Sequence, residues 1–359
     1  MANTFFSALD PLTVKLWSRI IHRDAVKTTL YGKLMGTAAT SIVQRRDDLK
    51  KSRGDRIRFP IRLLSDDTGV QDSETLEGKE EGLEFRDFDL LLGEKRKATK
   101  VELNLSEQRP MVNVREEAGE QVREWCEEYL DTTFMEYLTG RGQGPGGASK
   151  YHPSGALGGN TINTFAADRQ VFGGTATSLS TLVAGSTMSA RVIDKCIDIA
   201  KLATPMMRKA NFNGRKAYVC ILHPWQISAL RTDAATAGWF DLNKAVTQGG
   251  GSSPIMEEAL AVYRDVIILE STRVPTFLAG AGNDVPAATG VFLGAQAAVT
   301  GHGSGTNDKG VLRMTEKLTD YDKYYGLAVT LIWGMQRTRF SGQSDYAAIA
   351  INTAAAPIA

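Results

Sequence analysis

Between residues 65 and 94 the chain carries eleven acids and only two bases. Like charge at that density keeps a segment from collapsing on itself. Two strand-like runs bracket it. In DRIRFPIRLL, residues 55 to 64, Ile57, Phe59, Ile61 and Leu63 alternate with Arg56, Arg58, Pro60 and Arg62. A period of two reads as a strand with one apolar face. Pro60 has no N–H to donate, which places this strand at an edge or a bulge. On the far side, EKRKATKVELNL, residues 94 to 105, swings basic and reads as the returning strand. The spacing therefore predicts a long β-hairpin over 55–105 with an acidic tip. So little apolar surface cannot stabilise a hairpin by itself. It must lie on something else.

The counterweight stands at the other end of the sequence. Residues 1 to 53 hold ten bases and four acids. Over all 359 residues the net charge is only +1, so no overall field draws the chain to nucleic acid or to an anionic membrane. An acidic extension and a basic arm in one near-neutral chain can pair within a subunit or between neighbouring copies. The contact candidates are Glu77, Glu80, Glu81 and Phe85 in the hairpin, and Lys15, Arg19, Arg45 and Arg46 in the arm.

The remaining pattern is that of an α+β protein with two or three lobes, since 42% hydrophobic and 23% charged residues is ordinary globular composition. Leu12, Val14, Leu16, Trp17, Ile20 and Ile21 make an apolar stripe that predicts a helix over 11–25. A long helix is predicted from Ser106 to a stop at Gly140, with Val114, Ala118, Val122, Trp125 and Tyr129 at spacings of three and four. Residues 140–187, rich in Gly, Ser, Thr and Ala, read as a loop excursion or a small inserted lobe. A helix over 189–203, a strand over 217–222, a short helix from Pro224 and a strand over 265–270 follow. TGVFLGAQAAV, VLRMTEKL and GLAVTLIWGMQRTRF then read as three strands, and the tail as a last short one. The N-terminus lacks the basic and apolar regions of a signal peptide, and no run reaches a membrane span, so a soluble cytoplasmic product is expected.

Candidate chemistry is sparse. In KAYVCILHPWQISALRTD, Cys220 precedes His223 by three residues. A nucleophile and its base need to share one side, and an extended strand puts these two on opposite faces. Pro224 explains the histidine: a residue before proline is extended, and proline suits a first helical turn. GQGPGG, residues 142–147, matches G-x-G-x-x-G but follows a helix instead of a strand. The four histidines form no ligand pair, and the three cysteines, Cys126, Cys196 and Cys220, are far apart, as in a reducing compartment. No catalytic, cofactor-binding or metal residue is assigned. One rival reading is a cytoplasmic α/β enzyme using His223 or the Gly-rich loop.

Five motifs in order carry a resemblance: MANTFFSALDPLTVKLWSR, GDRIRFPIRLL with TLEGKEEGL, SEQRPMVNVREEA, YVCILHPWQISALRTD and PIMEEALAVYRDVIILESTRVP. Together they resemble the tailed-bacteriophage major capsid proteins of the Hong Kong 97-type fold, in the family typified by the coliphage N-four capsid protein. The resemblance spans nearly the whole chain and is weakest over 140–187. It implies an N-terminal arm over 1–54 and an extended loop over 55–105 that lies across a neighbour. It implies a peripheral domain from 106–187 and 286–359, with a spine helix over 106–140 and a Gly-rich insertion over 141–187. An axial domain follows from 188–285, with part of 286–359 entering its core. It also implies self-assembly into hexamers and pentamers around double-stranded DNA, in a virion built in the host cytoplasm. Scaffolding, portal and decoration proteins are the implied partners, without cofactor, membrane or sequence-specific DNA binding; a phage decoration or tail protein is the rival reading within this setting.

Overall fold

The computed structural model describes residues 30–46, 54–62, 77, 85–102, 114–144, 147–203, 206–212, 215–232, 259–303, 312–321, 323–339 and 345–357. The helix expected over 11–25 lies outside them, as do Lys15, Arg19, Glu80 and Glu81. Among the described residues, two mixed sheets, two two-stranded sheets and four α-helices, α1 to α4, make up the fold.

The smaller sheet, of six strands, is organised by β17 (Tyr324–Arg337). One edge of β17 pairs antiparallel with β5 (Gly93–Glu102), from Trp333↔Gly93 to Tyr324↔Glu102. The other edge is shared end to end. β16 (Leu312–Thr319) pairs with Tyr324–Leu331, and β15 (Ala298–His302) with Trp333–Arg337. β2 (Val43–Arg46) joins β15 in parallel, and β1 (Met35–Gly36) joins β2. Alternation along β17 sorts its faces: Leu327, Val329, Leu331, Trp333 and Met335 are buried, while Gly326, Ala328, Thr330 and Ile332 are half-buried on the opposite side.

The buried face receives α2 (Val114–Thr139), the expected long helix. Ala118, Val122, Tyr129, Leu130, Phe134 and Leu138 are buried, and Trp125 is half-buried, stacked on Tyr129 at 5.1 Å. Its stop is the expected one: Gly140 adopts φ +65° and donates its N–H to Glu136 O. That conformation is open to glycine at little cost. A buried aromatic hub locks helix to sheet. Trp333 Nε1 donates to Tyr129 Oη at 3.1 Å, and Tyr31 of α1 (Leu30–Leu34) meets Trp333 and Phe134 edge-on at 5.8 and 5.4 Å.

The larger sheet runs β11 (Ala259–Tyr263), β12 (Val266–Glu270), β10 (Arg215–Leu222), β14 (Val285–Leu293), β18 (Ala348–Ala354) and β8 (Gln170–Phe172). β9 (Ala210–Phe212) adds to β10, and β13 (Thr276–Ala279) to β14. β10 and β12 pair in parallel; Ala217–Leu222 of β10 and Val266–Leu269 of β12 are buried, as strands covered on both faces require. α3 (Ala190–Leu202) turns Val192, Ile193, Cys196, Ile197 and Ala200 into the same core, and α4 (Pro224–Thr232) adds Ile227 and Leu230.

Several expectations change. The strand that returns to β3 (Arg56–Arg62) is β4 (Phe85–Leu91), in register from Arg56↔Leu91 to Arg62↔Phe85. The run 94–105, expected in that role, instead contributes its described part to β5 of the smaller sheet. The short hydrophobic pair around Phe88 and Leu90 outcompetes the longer basic run because it alternates apolar residues against those of β3. TGVFLGAQAAV is two strands, not one. It breaks at Gly294–Ala297, where Gln296 takes φ 57°, and carries the chain from the larger sheet to the smaller. The Gly-rich segment is not a separate lobe. It forms a small hairpin of β6 (Ala156–Leu157) and β7 (Asn160–Thr161), then supplies β8 as an edge strand beside β18. Residues 30–46, expected within the arm, are built into the core through Tyr31, Leu34, Ile42 and Val43.

Candidate assembly surface

The hairpin is rooted by a small apolar cluster. Ile57, Phe59, Phe88 and Leu90 turn inward onto Val299 of β15, with Leu92 beside them. Close approach requires glycines: Leu91 lies over Gly334 of β17, and Ile57 and Leu90 lie over Gly301 of β15, where added Cβ atoms would collide. Further out, Arg46 of β2 sits 5.5 Å from the Phe59 ring centre. The hairpin thus lies over β17, β15 and β2 in turn.

Its other face is wet and charged. Arg58 Nε meets Asp89 Oδ1 at 2.9 Å, Arg58 Nη1 meets Asp87 at 3.3 Å, and Arg56 meets Asp89 at 3.2 Å. The hydrogen bond from Arg58 holds the Asp89 carboxyl below the usual carboxylate range. Pro60 sits in the ladder opposite Asp87, tolerated because each strand of a two-stranded ribbon has an outer edge.

Of the contact candidates, Glu77 is an exposed turn residue and Phe85 opens β4 opposite Arg62. Arg45 is half-buried on β2 beside Thr300, and Arg46 is exposed beside Gly301. Arg46 therefore does meet the hairpin, but within one subunit and through an aromatic ring. Not legible in the sequence was the anchor behind the arm. Asp131 of α2 accepts the Tyr31 N–H at 3.2 Å, and burial pushes its carboxyl upward against that bond. Tyr31 Oη bonds Thr300 Oγ1 at 2.9 Å and His302 Nε2 at 3.2 Å. Ahead of Asp131, α2 exposes Glu116, Glu117, Glu120 and Glu124, so the outward side of the helix is acidic.

The catalytic alternatives meet a different geometry. Cys220 is sealed between Ile268 and Phe292 in the larger sheet, and burial raises its thiol pKa steeply. His223 Nδ1 accepts the Trp225 N–H at 3.2 Å and so caps α4 at the strand-to-helix junction; burial lowers its pKa. In the Gly-rich loop, the N–H groups of Gly142, Gly144 and Gly147 bond to carbonyls of the same loop. The buried Glu136 carboxylate faces the loop, accepting from Gln143 N, Lys150 N and Ser149 Oγ. An acceptor there opposes phosphate binding. Among the described residues, no group of three or more His, Cys, Asp or Glu could hold a metal ion, and no helix is long and apolar enough to cross a membrane.

The phage capsid protein family model matches residues 5–357. The chain belongs to that family. It is 27% identical to the major capsid protein of Pseudomonas phage KPP25, over 94% of this chain and 92% of that one. The capsid of Ralstonia phage GP4 superposes with a TM-score of 0.81 at 27% identity, covering both chains fully. The capsid of cyanophage Pam1 follows at 0.73 and 18%, covering 93% and 94%. The α+β arrangement is therefore a Hong Kong 97-type capsid fold, and the chain is a structural protein of an icosahedral phage head.

Proposed function

We propose that copies of this subunit form hexameric and pentameric capsomers, and that these tile a head shell enclosing double-stranded DNA. The observation that carries the reading is the hairpin, rooted in its own sheet by Ile57, Phe59, Phe88 and Leu90 yet charged and exposed on its other face. A charged ribbon of two strands gains little by standing alone. On this reading the larger sheet with α3 and α4 is the axial lobe, α2 with the smaller sheet is the peripheral lobe, and the hairpin is the extended loop laid on a neighbour. The five ordered motifs support a likeness to the coliphage N-four type. Many modest contacts per subunit give a shell its stability, and closed symmetry limits its growth. A net charge of +1 suits a container, because a strongly basic wall would hold packaged phosphate in a salt-dependent grip. Assembly in the host cytoplasm draws on scaffolding and portal proteins, and on decoration proteins if the head carries them.

The test is assembly of the purified protein, alone or with scaffold, followed by negative-stain microscopy. Shells, tubes or capsomers are expected. A protein that stays monomeric under every salt and scaffold condition would overturn the reading.

A further inference from the structure

Three arginines gather where α2 ends. Arg337 bonds Leu138 O and Asn163 O, Arg339 bonds Thr164 O, and both are paired with the buried Asp345. Arg141, two residues past α2, is the third. It is half-buried, and among the described residues its guanidinium meets neither a carboxylate nor a hydrogen-bond acceptor. Carbonyls of the last helical turn are already taken. Thr139 Oγ1 donates to Met135 O at 2.7 Å, Gly140 N–H to Glu136 O at 3.0 Å and Arg337 to Leu138 O at 3.1 Å. What Arg141 does touch is a ring: its guanidinium carbon lies 3.6 Å from the ring centre of Phe277 on β13. Stacking occupies the flat face of a guanidinium and leaves its N–H groups, which lie in the plane, unspent. Burial lowers the pKa of Arg141, and no acid counters the effect.

Arg141 lines a recess of about 70 Å³ between the end of α2, the Gly-rich segment and the larger sheet. Thr139, Thr164, Gln170, Thr289 and Asn352 line it too, and none of its lining residues is acidic. The Glu136 carboxylate turns instead into the loop of residues 142–150. Asn352 of β18 is only 3% exposed, yet half of its amide is unused. Its Oδ1 accepts from Thr289 Oγ1 at 2.7 Å, and its Nδ2 has no acceptor among the described residues. Buried polar groups are normally partnered. Here a cation and an amide donor on one recess both lack a partner.

We propose that the recess binds one free tetrahedral oxyanion, of the phosphate or sulfate class, between the Arg141 fork and the Asn352 amide. The planar fork matches two oxygens of such an ion, and the ion supplies Arg141 with the negative charge it lacks. The volume has room for a few waters or one small ion, and is well below the roughly 300 Å³ of a site for a larger ligand. A phosphodiester within a nucleic-acid strand carries a sugar on two of its oxygens and is too bulky for it. The anion joins the end of α2 to β18, and so links the helix of the smaller sheet to the larger sheet. The site is independent of the shell reading.

The test is equilibrium dialysis of radiolabelled phosphate against dilute, unassembled full-length subunit at neutral pH, with chloride holding ionic strength constant. One saturable site per subunit is expected, with sulfate competing and a Kd in the millimolar range or tighter. R141M, which keeps a stem but no fork, should weaken binding at least about tenfold, and R141K, which keeps only the charge, should lie between. Melting curves give a second readout. Phosphate in place of chloride should raise the melting temperature of wild type more than that of R141M, because the general effect of an excluded salt is common to both. Absence of saturable binding, or equal binding by wild type and R141M, would overturn the site. Acetate competing as well as phosphate would replace it with a carboxylate contact. Dimethyl phosphate competing as well would replace it with a nucleic-acid backbone contact. Either result would also overturn the proposal.

Discussion

Two arginine–aspartate pairs of nearly equal length lie at opposite extremes of exposure. Arg337 Nε meets Asp345 Oδ1 at 2.8 Å with side chains 3% and 0% exposed, whereas Arg58 Nε meets Asp89 Oδ1 at 2.9 Å with side chains 62% and 28% exposed. The first pair is part of a hub. Arg337 also donates to Leu138 O at the end of α2 and to Asn163 O, and its guanidinium lies 3.7 Å from the Phe165 ring centre. Arg339 shares Asp345 at 3.1 Å. Helix, Gly-rich segment and the link between the sheets are joined there. The second pair joins only two strands that face water. Equal chemistry thus serves different ends: the buried charges tie distant segments of one subunit together, and the exposed ones brace two strands across a face that meets water.

The sharpest way to break the contrast is D345A. It strands two arginines, one of them buried, and should cost about 3–5 kcal/mol, read by denaturant unfolding. A loss no larger than that of a surface mutation would remove the hub from the account. The next largest effect comes from pH. Burial, with Lys95 nearby, pushes the His152 imidazole down to about 4. The fold therefore holds it neutral while the unfolded chain protonates near 6.5. Stability should be full above about pH 6.5 and decline as pH falls toward 4, by no more than about 3 kcal/mol. Melting curves of H152Q should lose that slope; an unchanged slope would assign it to other groups. Smallest is D89N on the hairpin, expected to move the melting temperature hardly at all because exposed pairs are screened. A large drop would mean that the hairpin is integral to the subunit core.

The long helix, its glycine stop, the parallel strand ending at His223 and the apolar face of β3 were all readable, because each rests on local periodicity or on one residue's backbone preference. The hairpin's return was not. Residues 94–105 look as strand-like as 85–91, and only packing on Val299 and Gly301 decides between them. The anchor of Tyr31 on Asp131 was equally hidden, because a hundred residues separate the two. The basic rows on β5 and β16 did leave a trace: cations four apart in EKRKATK and again in VLRMTEK. Its meaning depends on both strands flanking β17, which no local pattern reports.

By itself the sequence determined the order of most elements, the split between an acidic extension and a basic arm, and the strand-to-helix junction at His223 and Pro224. These follow from charge counts, strand alternation and the geometry before proline. Tertiary structure alone decided which strand closes the hairpin, that residues 30–46 are core, and that four lysines and arginines from two distant runs converge on one face. The physical reason is that sheet pairing and burial are cooperative and non-local: a strand's partner is chosen by what its side chains can cover, and that surface is not built until the chain has folded.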